Sequence, residues 1–366
     1  MRKLLVVAVF VALWLAGPVA DAGAAPVRHV FVIVLENENQ ATTFGPDSPA
    51  PYLARTLPSQ GVLMPNYYAV THLSLGNYIA LVSGQGSNLA TQSDCQVFSD
   101  FTPPGVFGAN GQALGQGCVY PASVQTVAGQ LTAAGLTWKG YMEDMGNNPA
   151  RESSTCGHPP IGSPDPTQQA EPGDQYAARH NPFVYFHSII DTPDCDRNDV
   201  PLQRLESDLK AVRTTPNYAF ITPNLCNDGH DSPCVDGRPG GLVSADAWLR
   251  TWVPKILGSP AFKRDGLLLV TFDEAEASGA EGDASACCGE AQFPNTANNG
   301  GPVPGRGGGR VGAVALSPFV RPGSVTTTSY NHFSFLRTVE DLFALGHLGY
   351  AGSPDPGAFG RDVFGR

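Results

Sequence analysis

Four short apolar runs, each leading to residues that can hold a metal or attack a substrate, constrain this chain more than any other feature. His29–Leu35 stops at Glu36-Asn37, and Tyr218–Ile221 leads through Thr222-Pro223-Asn224 to Asp228-Gly229-His230-Asp231. Leu267–Phe272 stops at Asp273-Glu274, and Val311–Ser317 precedes His332. Runs this short and this continuously apolar read as central strands of a parallel sheet covered by helices on both faces. Ligands bind beyond the carboxyl ends of such strands. A carboxylate after one strand is ordinary; carboxylates or histidines after several describe a built site suited to metal-dependent hydrolysis.

Helical stripes fall between the runs. Val124, Val127 and Leu131 lie between Ser123, an N-cap candidate, and Gly135, a stop signal. Leu242, Ala245, Leu249, Trp252 and Ile256 mark a second helix, and Phe333, Leu336, Val339, Leu342 and Phe343 a third that starts directly after His332. Strands alternating with helices predict a three-layer α/β/α sandwich with a mostly parallel central sheet. The 42 glycines and 32 prolines place long loops between few regular elements. The loops 96–117, 146–174 and 275–309 are the longest, and with no repeat or clear linker, residues 25–366 are expected to form one domain.

At the amino end, Arg2-Lys3 precede the apolar stretch Leu4–Leu15 and then Ala22-Gly23-Ala24, a small-x-small signal-peptidase site. Residues 1–24 are therefore expected to be a signal peptide, an uncleaved anchor being the alternative, and the mature chain to be secreted. No other stretch approaches the roughly 18 apolar residues of a membrane span, so integral membrane association is not expected. Cleavage removes two basic and one acidic residue from a net charge of −11, leaving −12. Such an acidic chain has no electrostatic footprint for nucleic acid. An anionic substrate would need a local positive centre, which a bound divalent cation supplies.

The eight cysteines, an even number in an exported chain, favour disulfides. Proximity in sequence suggests Cys95–Cys118, Cys156–Cys195 and Cys226–Cys234. The adjacent Cys287-Cys288 is unusual, because a bond between neighbours strains the peptide between them. With no Cys-x-x-Cys spacing, a zinc cluster is the lesser alternative.

The block Thr71-His72-Leu73-Ser74-Leu75-Gly76-Asn77-Tyr78 precedes the apolar Ile79–Val82 and a closing Gly84. Ser74 would stand in the first turn of a short helix, where free backbone N–H groups favour an anion, and is the nucleophile candidate. An N-cap is its plain structural reading. Asn77, one turn on, is placed to donate its amide to a phosphoryl oxygen.

Taken together, Glu36-Asn37, this block, Pro223–Asp231, Thr271–Glu274 and Tyr330–Thr338 resemble the bacterial phosphoesterase family, which includes secreted acid phosphatases, a phosphatidylinositol 3-phosphate phosphatase type and phosphocholine-type phospholipases C. The resemblance spans residues 29–346 and implies an alkaline-phosphatase-like fold. It implies Ser74 as nucleophile, Glu36, Asn37, Asp273 and Glu274 as metal ligands, His230 near the leaving group, and His332 before the last core helix. Leu73 and Gly76 depart from it, standing where many relatives have proline, as does Asn39-Gln40 in place of an aromatic continuation.

The chemistry of the residues points the same way. A divalent ion (Mg, Ca, Mn or Zn) on hard oxygens of Glu36, Asp273, Glu274 and Asn37 would bind the phosphoryl group and acidify Ser74. His230 or His332 would protonate the leaving alkoxide. His72, Asp228, Asp231 and His180 are further candidates as ligands or orienting groups. Glu143-Asp144 and Arg179-His180-Asn181 are candidate pocket residues, and Arg337 is a candidate phosphate clamp set against a helix-face salt bridge. The expected activity is phosphate monoester hydrolysis, on a small molecule or a lipid headgroup, through a phosphoserine intermediate. The alternatives are a phospholipase C or other phosphodiesterase of the same fold, and a disulfide-stapled binding protein without catalysis.

Overall fold

The first apolar run becomes strand β1 (His29–Leu35), fully buried along its length as a strand covered on both faces must be. The computed structural model describes residues 27–355 and 357–365, so the expected signal segment lies outside them. Nine further strands follow: β2 (Val62–Met64), β3 (Tyr67–Tyr68), β4 (Trp138–Met142), β5 (Asp199–Pro201), β6 (Tyr218–Thr222), β7 (Gly266–Phe272), β8 (Ala313–Leu316), β9 (Ser324–Val325) and β10 (Tyr330–Asn331). Eight of them form one sheet in the order β5-β4-β6-β1-β7-β8-β2-β9, while β10 pairs with β3 apart from it. Strands β5, β4, β6, β1 and β7 are parallel neighbours, with Ile33 of β1 in register with Ile221 of β6 and Val270 of β7.

Helices cover both faces. Helices Val127–Ala133 and His332–Leu342 each pack against Ser74–Ser83 on one side, and Gly241–Gly258 with Pro260–Asp265 lies on the other, the latter against β1 and β7. This is the expected three-layer α/β/α sandwich, and its main apolar core runs from Val27 to Phe364. The helix expected from Ser123 starts later, at Val127. Thr126 is its cap, accepting the Gly129 N–H at 3.1 Å.

One expectation about the sheet is corrected. The run 311–317 is not a parallel strand: β8 is antiparallel to both β7 and β2. After β7 the chain leaves the sheet at its carboxyl edge, wanders through the 275–309 loop and re-enters from that same edge, so β8 must run backwards. His332 therefore does not lie beyond the carboxyl end of that run; it follows β10, which β3 holds in register. Helix His332–Leu342 opens on a capping box in which Asn331 and Ser334 satisfy each other's backbone N–H groups.

All eight cysteines are paired. The three local pairs form as expected, and Cys287 is bonded to Cys288. The disulfide expectation thus extends to the adjacent pair that strain argued against. Among the described residues no helix is long and apolar enough to cross a membrane.

Candidate active site

Three neighbouring parallel strands deliver the centre of the site. Glu36 follows β1, Asp228 lies six residues beyond β6 and Asp273 follows β7, and all three are inaccessible to solvent. The Glu36 N–H donates to the Asp228 carbonyl at 2.9 Å, and the Asp273 N–H donates to the Leu35 carbonyl at 2.8 Å, so the backbone fixes the three carboxylates to one another. Burial raises the pKa of each, and for Glu36 the charges of Asp273 and Asp228 raise it further.

Ser74 is the first residue of its helix and donates its hydroxyl to Glu36 Oε2 at 2.8 Å. Tyr78, one turn along, donates to Glu36 Oε1 at 2.6 Å. The residue before Ser74 is strained: Leu73 has φ 46° and ψ 147°, a backbone region essentially reserved for glycine. Proline, with φ fixed near −65°, cannot adopt it. Gly84 closes the helix in the left-handed conformation, as its place in the sequence suggested.

His180 comes from the irregular segment between β4 and β5 and stacks on Tyr78, with ring centroids 5.3 Å apart. Its Nε2 lies 3.3 Å from Glu36 Oε2 and its Nδ1 3.4 Å from Asp228 Oδ2, with no hydrogen bond formed to either. Burial holds its imidazole well below the ordinary histidine range, hence neutral. Both His180 nitrogens, Asp228 Oδ2, Asp273 Oδ2 and Asn37 Oδ1 are buried without a hydrogen-bond partner. Unspent polar atoms this deep are costly, and the His180 nitrogens, standing between the Glu36 and Asp228 carboxylates, mark a seat for something positively charged. Glu36, His180 and Asp228 offer ligand atoms all within 4.8 Å of one another, a donor set of hard oxygens and one neutral imidazole that fits a divalent cation. Asn37 adds strain to the same edge, with φ 57°, while its N–H donates to Asp273 Oδ1 at 3.2 Å.

His230 is placed differently. Its side chain is about a third exposed (36%), its N–H donates to Asp228 Oδ1 at 2.8 Å, and its Nδ1 lies 2.7 Å from Asp231 Oδ1. The Asp231 carboxylate holds the imidazole above its ordinary range. The Cys226–Cys234 bond closes the loop that carries Asp228, His230 and Asp231. Glu143 and Asp144 brace this loop by accepting from Asn224 and Asn227.

Residues 48–346 match the Phosphoesterase family. The chain belongs to that family. Among relatives of this phosphoesterase-family chain, an acid phosphatase of Aspergillus fumigatus is 29% identical over 70% of this chain and 47% of its own length. A phosphatidylinositol-3-phosphatase of Mycobacterium tuberculosis is 27% identical over 92% of this chain and 83% of its own. The chain thus spans about half the length of the fungal relative. Among solved structures, a putative sulfatase of Bacteroides thetaiotaomicron shares the fold, covering 93% of this chain and 75% of its own at 12% identity and a TM-score of 0.50.

Other candidates of this phosphoesterase-family chain have other partners. Glu274 is paired with His72 Nδ1, and the far nitrogen of His72 lies 3.0 Å from the Asp283 carbonyl. That pair ties β7 to the Ser74 loop instead of joining the cation seat. Asn77 is not a free donor: its oxygen accepts the Val70 and Thr71 N–H groups and its amide donates to the Thr71 carbonyl, fastening the loop before Ser74. His332 donates Nε2–H to the Asp273 carbonyl at 2.7 Å, and its Nδ1 lies 3.3 Å from the Tyr67 hydroxyl. With both nitrogens engaged and burial lowering its pKa to about 4, it supports Asp273 and has no route to a leaving group. Arg337 donates to the Ser353 carbonyl at 2.6 Å. The sequence ranked His180 below these residues. Its cue was an Arg-His-Asn run inside the aromatic stretch 176–186, where charged groups have no ordinary reason to be buried.

Proposed function

We propose that this chain is a secreted, metal-dependent phosphomonoesterase in which Ser74 is the nucleophile. The observation that carries the reading is the 2.8 Å hydrogen bond from Ser74 to Glu36, made inside a cluster of unspent buried ligand atoms. Glu36, His180 and Asp228 would hold a divalent ion, with Asn37 and Asp273 at its edge. When bound, that ion neutralises phosphoryl oxygens and raises the acidity of hydroxyls near it. Ser74 Oγ attacks phosphorus and forms an Oγ–P bond as the ester P–O bond breaks, and its proton passes to Glu36 Oε2. The leaving alkoxide takes a proton from His230, which Asp231 keeps charged. In the second half His230, now neutral, takes a proton from water as that water displaces Ser74 from phosphorus; Glu36 returns the serine proton.

Membership in a family with acid phosphatase and phosphatidylinositol-3-phosphatase relatives supports phosphoric monoesters as substrates, from soluble aryl phosphates to dispersed phosphoinositide monophosphates. Four disulfides suit an oxidising compartment, in keeping with export. Release of nitrophenol from 4-nitrophenyl phosphate and from its bis-ester, measured over several pH values, tests the reading. The monoester should win in kcat/KM by at least ~100-fold, about 2.7 kcal/mol. Equal or better diester turnover would make the chain a phosphodiesterase.

A further inference from the structure

Arg179 is a buried cation in an otherwise acidic centre, and the chemistry above does not use it. The residue is 5% exposed, and the charges it faces are Asp94, Glu36, Asp228 and Asp165. Its Nη1 donates to the Gln168 carbonyl at 3.0 Å, while its Nε stands 3.9 Å from Asp94 Oδ2, too far for a hydrogen bond. Nε and Nη2 make no hydrogen bond with any described residue. A guanidinium has five N–H donors, and a buried one ordinarily spends them. Asp165 makes no hydrogen bond to it; its oxygens accept from Thr167 and Gln168.

Asp94 places this guanidinium relative to the nucleophile. While Oδ2 faces Arg179, Oδ1 accepts the Leu75 N–H at 3.0 Å, the peptide directly after Ser74. Asp94 and Cys95 both hold left-handed backbone conformations, at φ 52° and 50°, and Cys95 is tied to Cys118. The carboxylate is thus a fixed strut between Ser74's helix and the guanidinium, leaving a charged fork with spare donors beside the site.

We propose that Arg179, aimed by Asp94, takes a non-bridging oxygen that a phosphate monoester has and a diester lacks, and so selects monoesters. This rests on the phosphomonoesterase reading. A monoester dianion presents three non-bridging oxygens and two charges, a diester two oxygens and one charge. The planar fork matches the former, whereas an alkoxy substituent in that place offers it no charge. Arg179 is then a substrate-binding residue, and Asp94 a positioning residue.

The test compares wild type, R179Q, R179K, D94N and the double variant D94N/R179Q on 4-nitrophenyl phosphate and bis(4-nitrophenyl) phosphate, with inhibition by inorganic phosphate and thermal stability measured alongside. In R179Q the monoester-to-diester ratio of kcat/KM should fall at least ~30-fold and the Ki of phosphate rise by a similar factor, the size of a lost charge-assisted contact. R179K, which keeps the charge without the fork, should lose part of the ratio. D94N should raise the monoester KM more than it lowers kcat. Equal losses on both esters in R179Q would overturn the proposal, as would recovery of the wild-type ratio in D94N/R179Q, which would mean that Arg179 only balances Asp94. Should R179Q not fold, a wild-type ratio with wild-type phosphate inhibition in R179K overturns it instead. A wild-type enzyme without monoester turnover would sink the underlying reading; monoester turnover with an unchanged ratio in folded R179Q sinks this inference alone.

Discussion

Ser74 Oγ lies 2.8 Å from Glu36 Oε2, although 38 residues and two different layers of the fold separate them. Glu36 is fixed by the sheet and Ser74 by a strained turn into a helix, so neither can drift without breaking regular structure. A hydroxyl held this way has a proton acceptor at hand and little conformational freedom to lose on reaction.

Replacing Ser74 with alanine should leave the fold and thermal stability near wild type and lower turnover by at least ~10³, the scale for loss of a nucleophile. Circular dichroism together with steady-state hydrolysis of 4-nitrophenyl phosphate checks this. A folded S74A protein with wild-type turnover would remove Ser74 from the reaction.

Metal removal should do two separable things. Chelation should abolish turnover, and a divalent ion should restore it, with H180A and D228N lowering the metal bound per chain in elemental analysis. Metal-free protein should also lose stability as pH rises. The acids of the centre keep their protons longer when folded than when unfolded, Asp273 to about 6 and Asp228 to about 8. Between about pH 4 and those values the folded state binds more protons, so unfolding free energy falls with pH. Saturating divalent ion should flatten that slope; a metal-free melting temperature rising from pH 5 to 8 would contradict it.

His230 should set the basic limb of the pH profile. Its pKa is raised by Asp231, so the protonated imidazole is present below that raised value and activity should fall as pH climbs through it. D231N should move the limb to lower pH. H230A should cost ~10² or more on alkyl phosphates and much less on 4-nitrophenyl phosphate, whose leaving group needs no proton. An equal loss on both substrates would exclude a leaving-group role.

The Cys226–Cys234 bond should matter for both stability and turnover. Closing a loop of this length is worth about 2.5 kcal/mol in the chain-entropy account. The paired serine variant should melt lower and turn over more slowly, because Asp228, His230 and Asp231 ride on the loop. Reversible denaturation and kinetics on the same preparation decide whether the two effects appear together.

Much of this could be read along the chain because short-range physics decides it. Continuous apolar residues over 29–35 left no alternative to a covered strand, and the strand ends where they end. The glycine at 84 stopped the helix that Ser74 opens, and local cysteine pairs closed the nearest loops. The direction of β8 was not legible, since an apolar run is the same read from either end and only the route of the 275–309 loop fixes it.

The residue types of the site, and the ends of the strands that carry them, were thus determined by sequence. Which of them meet was decided by tertiary structure alone. Glu36, Asp228 and Asp273 converge because β6, β1 and β7 are neighbours in the sheet, an order no local pattern encodes. His180 joins them from an irregular segment by stacking on Tyr78, while Glu274, Asn77 and His332, equally plausible in sequence, are taken up by His72, a backbone loop and Asp273. A polar side chain is assigned to chemistry or to scaffolding by whether the fold leaves its hydrogen bonds unspent, and that accounting closes only when the whole chain is packed.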